Sequence, residues 1–178
     1  MKNTKSLRRL GLFALPLVLS AFAVTAQAQS GGQATLVTTS GDWSVYTASS
    51  GKSKVCYALS QPKERLPAGL NRDPGYLFVS FRPAEKINGE LAIVVGFPAK
   101  EDVGGQLTIG SSNFDLLAKG PNVWLKSSNE EPSVIAGMQK GQSMEVKVTS
   151  GRGNKTTDRY SLSGFTAAFN RAKKECGR

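Results

Sequence analysis

The sequence predicts a mainly β protein: a single-domain antiparallel β-sandwich or barrel with a C-terminal α-helix and one disulfide. Three observations carry this. About nine or ten short runs of β-forming residues follow one another, separated by Gly, Pro, Asn, Asp and Ser. One segment near the C-terminus has helical apolar spacing. The only two cysteines, Cys56 and Cys176, stand far apart in the chain. A length of 178 residues suits one domain with a real core and is short for two.

Residues 1–28 read as a secretory signal peptide. Lys2, Lys5, Arg8 and Arg9 form a basic start without an acid, and Leu10 to Val24 form an apolar stretch broken by Pro16 and Ser20. Ala26-Gln27-Ala28 is the small-x-small pattern before a cleavage site. The alternative, a retained membrane anchor, fits poorly with so short an uninterrupted run. Cleavage would leave a chain from Gln29 with no transmembrane span, 19 basic residues against 13 acidic, and a net charge of +6. Residues 29–35 are small and polar and read as a flexible leader, with the domain over 36–178.

The strands follow in order. Leu36–Thr39 and Trp43–Tyr46 bracket a Ser40-Gly41-Asp42 turn, and Trp43 and Val45 share one face. Lys54–Leu59 completes a hairpin after Ser49-Ser50-Gly51. Gln61 to Gly75, with three prolines and two glycines, reads as a long basic loop. Tyr76–Phe81 and Glu90–Phe97 are nearly continuous apolar runs, as expected of central strands covered on both faces. Gln106–Ile109, Asn113–Ala118, Asn122–Lys126, Met144–Val148 and Asp158–Leu162 complete the series.

Two helices interrupt it. Glu131–Lys140 has Pro132 at its start and Gly141 at its end. The C-terminal helix would be capped by Ser163, with Phe165, Ala168, Phe169, Ala172 and Cys176 on one stripe and Gly177 ending it. Cys176 on that stripe, an even cysteine count and an exported chain point to a Cys56–Cys176 disulfide; two inert buried thiols are the alternative. Closing a loop of about 120 residues is worth about 5 kcal/mol in the chain-entropy account.

The chain has no histidine. That removes Ser-His-Asp and Cys-His nucleophilic sites, histidine-ligated zinc and haem, and histidine acid–base catalysis. No CxxC motif supports thiol redox chemistry. The acidic neighbours Glu101-Asp102 and Glu130-Glu131 lie in turn-like context, where solvated loops explain them better than a glycosidase pair. Trp124 is either core packing or a surface contact residue. No catalytic residue, metal site or cofactor is expected, and nothing interleaves basic with aromatic residues as nucleic-acid binding would need.

The most distinctive stretch runs from Ser150 to Asp158. Read functionally, it is a Gly-rich turn in which Arg152, Lys155 and Thr156 would bind an anionic ligand. The glycine spacing is wrong for a phosphate loop, and a hairpin connection explains the glycines better.

Gly41-Asp42-Trp43-Ser44-Val45-Tyr46, then Lys54 to Pro62, then Thr156-Thr157-Asp158-Arg159-Tyr160 through Phe165 to Cys176 resemble the invasion-associated locus B family of alphaproteobacteria. The resemblance covers essentially the whole chain after residue 28. It implies an exported envelope protein of a family named for a member that promotes invasion of host red cells. Many members occur in free-living bacteria, and the family offers no agreed catalytic residues. The expectation is therefore a non-enzymatic protein of the periplasm or outer-membrane surface. Its partners would be anionic envelope or host-surface components, or other envelope proteins. A structural or chaperone-like envelope factor without a host role is the alternative, and an enzyme on carbohydrate or peptide comes third.

Overall fold

Burial alternates residue by residue along most strands, and this alternation decides which side of the sheet meets the core. The computed structural model describes residues 33–50 and 53–177. The expected signal peptide, residues 1–28, and residues 29–32 of the expected leader lie outside them. The strands are β1 (Thr35–Ser40), β2 (Trp43–Ser50), β3 (Ser53–Ser60), β4 (Glu64–Leu66), β5 (Tyr76–Arg82) and β6 (Ile87–Val94). They continue as β7 (Gly105–Ile109), β8 (Ser112–Lys119), β9 (Asn122–Leu125), β10 (Ser143–Thr149) and β11 (Lys155–Ser161). The helices are α1 (Glu131–Lys140) and α2 (Phe165–Glu175).

All strands join one antiparallel sheet in the order β1-β2-β3-β5-β6-β9-β8-β7-β10-β11-β4. The chain passes from β3, near one end of this order, to β4, at the other, through only Gln61–Lys63. Three residues span at most about 11 Å, so the sheet must curl until its ends approach. Hydrogen bonds fasten that closure: Asp42 N donates to Ser163 O at 3.0 Å, Lys63 N to Arg159 O at 2.7 Å, and the Trp43 indole N–H to Ser161 O at 3.0 Å.

The curl encloses a single hydrophobic core. Trp43, Val45, Ala58, Leu77, Val79 and Phe81 reach it from one half of the sheet, and Leu107, Val146, Val148 and Tyr160 from the other. α1 contributes Val134 and Met138, and α2 contributes Phe165, Ala168 and Ala172. Phe165 packs on Trp43 with ring centroids 4.8 Å apart. The Cys56–Cys176 disulfide is present, joining β3 to the residue after α2.

Four expectations need correction. The 61–75 segment is not all loop: Glu64–Leu66 pairs with β11 as an edge strand. β11 begins three residues before the predicted start, because Lys155–Thr157 pair with Val148, Thr149 and Lys147 of β10. Ser163 does not cap α2. The cap position is Gly164 at φ 86°, where a Cβ would lie 1.9 Å from Ser40 O. That backbone contact between the first turn and the last leaves room for glycine alone. Finally, β5 and β6 are covered on one face only. Leu77, Val79, Leu91 and Ile93 are buried, while Tyr76, Phe78, Ala92 and Val94 on the opposite face are half-buried.

Candidate functional site

The 150–154 turn links β10 to β11. Ser150 is buried, its N–H donates to Asn154 O, and its hydroxyl accepts the Asn154 N–H at 3.1 Å. Gly153 N donates to Ser150 O, and Gly151 N donates across to Pro98 O, each at 2.8 Å. The amides of Gly151, Gly153 and Asn154 are thus spent inside the fold and do not form an anion cradle. Arg152 and Lys155 are exposed on the turn. Thr156 is not presented with them. It sits on the inward face of β11, buried, and its hydroxyl donates to Val148 O at 2.8 Å. Alternation along β11 forces this, since Asp158 and Tyr160 share the Thr156 face.

The inward face of β11 carries the strongest electrostatic feature of the molecule. Asp158 is 2% exposed and receives two guanidinium groups from the 61–75 segment. Arg65 Nε lies 3.1 and 3.2 Å from its two oxygens, and Arg72 Nη1 3.2 Å from one of them. Arg65 spends its other nitrogens on Asp73 O and Val95 O, both at 2.7 Å. Arg72 also donates to Pro67 O, while its Nε meets no partner among the described residues. Burial raises the Asp158 carboxyl above the ordinary value even against the pull of Arg65 and Arg72. Tyr160 stands beside them, 1% exposed, with its hydroxyl unpartnered among the described residues. Burial, with the Asp158 charge, pushes its phenol strongly up.

This cluster clasps the segment to the sheet rather than facing solvent. The basic residues of the 61–75 segment do not stand free on a loop. Instead Arg65 and Arg72 turn inward, and Lys63 pairs with Asp42. The signal for this was faint: an acid at an inward-facing strand position needs a buried cation.

Two open grooves lie elsewhere. One, of about 490 Å³, is lined by Asn113, Asp115, Lys126, Ser127 and Glu130. The other, of about 510 Å³, lies between α1, α2 and β6 and includes Asn88, Asn129, Glu131, Ile135 and Phe169. Glu131 accepts a backbone hydrogen bond from Leu91, and burial together with Glu90 holds its carboxyl above the ordinary value. The neighbours Glu130 and Glu131 therefore enter different grooves and do not face each other across one cleft. Glu101 accepts the Gly120 N–H at 2.8 Å at the surface. Among the described residues no group of three His, Cys, Asp or Glu could hold a metal. Trp124 is half-buried on the outward face of β9.

Residues 122–173 match the family described as Invasion associated locus B (IalB) protein. Over this stretch the chain matches the IalB family. It runs from β9 to the last turns of α2 and contains both Asp158 and the Arg152 turn. Arg65, Arg72 and Cys56, which hold the IalB segment to the rest of the sheet, precede it. No curated protein and no solved structure matches the chain.

Proposed function

We propose that this IalB-like protein is exported and non-enzymatic, working in the periplasm or at the outer-membrane surface, where it contributes contacts to a host cell. The Cys56–Cys176 disulfide carries the reading. It closes the fold across 120 residues and favours an oxidising compartment. The exposed Arg152 and Lys155 supply the contact chemistry, attraction to anionic surface groups. The divergence of Glu130 and Glu131 supports a binding role over hydrolysis by paired carboxylates.

The test is protease shaving of intact cells beside an osmotic-shock extract, read by mass spectrometry without reductant. The expected species starts near Gln29, carries the disulfide, and is shaved from intact cells. Arg152→Glu with Lys155→Glu should then weaken host-cell binding several-fold. A full-length, reduced protein in the cytosol overturns export. A second reading is a structural or chaperone-like envelope factor with no host role. It is favoured by β1, an edge strand without a charged residue that is open to strand addition. Protection in intact cells with release on shock would select it.

A further inference from the structure

The outward face of the sheet is divided into two unlike halves. Across β7, β10, β11 and β4 its outward positions are polar and charged, apart from Leu66 of β4. Glu145, Arg159 and Glu64 stand opposite one another in register and form a ladder of ion pairs, with Lys147 beside Glu145. Across the other seven strands an apolar row replaces the ladder. Leu36 of β1 pairs with Tyr46 of β2, and Tyr46 with Tyr57 of β3. Phe78 of β5 touches Tyr57 with ring centroids 5.7 Å apart and pairs with Ala92 of β6. Ala92 pairs with Trp124 of β9, and Trp124 with Leu117 of β8. Tyr76 and Val94 pair next to this row on one side, and Ala48 and Val55 on the other. Leu36 and Leu117, at the row's two ends, are each 53% exposed. Both helices lie against the inward side, so no element among the described residues covers this face.

We propose that this apolar row is the interface of a homodimer, in which two copies pack their outward sheet faces against each other. Three arguments choose a second copy over other occupants. The row itself contains no charged side chain, and the charges that flank it toward β6 and β8 are of both signs, Glu90 paired with Arg82 and Asp115 and Lys119 on either side of Leu117, so two basic chains can meet along its centre without burying an unpaired charge. The ion-pair ladder remains in water on the far half. The rings stand against one another instead of lying open: Tyr46 and Tyr57 are stacked, 17° from parallel at 5.4 Å. Their faces are used within the row, which disfavours sugar stacking and leaves ridges that interdigitate with a like surface, as in stacked sheets about 10 Å apart. The size also fits. Six inter-strand spacings by three outward rows project to about 600 Å², and side-chain relief brings this near the roughly 800 Å² per partner of a standard interface. The dimer is expected to be reversible, with a Kd in the micromolar range.

Sedimentation velocity of the disulfide-intact protein, from about 1 to 200 μM, tests this. The expected result is a shift from monomer to dimer across that range. Leu36→Glu and Leu117→Glu change the two exposed ends without disturbing the ring stack. Together they should weaken dimerisation at least tenfold while the thermal midpoint of the monomer is unchanged. Lys147→Glu, on the charged half, should leave dimerisation within about twofold. A wild-type protein that stays monomeric at 200 μM overturns the proposal, whether or not the face then binds lipid or another protein. So does a dimer that survives the two leucine changes or is lost with Lys147→Glu.

Discussion

Tyr160 shows how one atom can make a core residue pH-sensitive. Its ring fills the core at 1% exposure, but its hydroxyl meets no hydrogen-bond partner among the described residues, with Asp158 nearby. Ionising it would place a second negative charge beside a buried carboxylate, so the folded phenol titrates above the unfolded value of about 10. The folded state therefore holds its proton where the unfolded chain has released it. Stability has its full value below pH 10 and falls as pH rises toward the folded value. Tyr160→Phe removes the ionisable group and an unmatched polar atom together. Urea unfolding at pH 7 should show a stability equal to wild type or higher by about 1 kcal/mol. Between pH 9.5 and 11 the variant should lose stability less steeply. The slope should not vanish, since burial and then Tyr46 also push the Tyr57 phenol up. An unchanged slope would mean that Tyr160 is not a source of alkaline sensitivity.

At the scale of elements, β4 depends on contacts far away in sequence. Glu64-Arg65-Leu66 has no strand pattern of its own, and three residues are too few to hold an edge by ladder bonds alone. Its hold comes from Arg65, which with Arg72 encloses Asp158, 93 and 86 residues away respectively. Asp158→Ala would leave two guanidiniums near a buried site without their carboxylate, and such a loss costs about 3–5 kcal/mol. Urea unfolding should show that loss. Adding Arg72→Met should recover part of it, because the buried excess charge is then smaller; failure to recover any would place the cost in packing rather than charge. This dependence also explains what was legible in the sequence. α1 could be read to the residue because Pro132 and Gly141 bracket it locally, and the α2 stripe because its spacing is periodic. β4 and the Asp158 clasp were not legible, since partner choice across some 90 residues leaves no local pattern. The inward turn of Thr156 was legible in principle, from its parity with Tyr160. The apolar runs of β5 and β6 point to strands covered on both faces because sequence cannot distinguish a second buried face from an uncovered aromatic one.

For the molecule as a whole, the question is whether the curled sheet stays closed without its covalent link. The closure rests on hydrogen bonds among Asp42, Lys63, Trp43 and the end of β11, on the Asp158 clasp, and on α2 packed across β1, β2 and β3. The disulfide ties the last of these to β3, with Lys54 of β3 also donating to the Glu175 carbonyl. Two outcomes of losing it can be separated. If the link acts mainly by restricting the unfolded chain, Cys56→Ser with Cys176→Ser should lower the unfolding free energy by up to about 5 kcal/mol, and move the urea midpoint down in one cooperative transition. The tertiary signal from Trp43 on Phe165 and the secondary structure would then disappear in one transition. If the link only pins α2, the near-ultraviolet circular dichroism of that aromatic pair should be lost first, while the sheet persists to higher urea. A single transition is expected, because Phe165, Ala168 and Ala172 are buried in the same core as the strands and α2 cannot leave without opening it. Reduced wild type should follow the double variant. If its curve coincided with that of the oxidised protein, the bridge would contribute little to stability, and the closure would belong to the hydrogen bonds and the clasp.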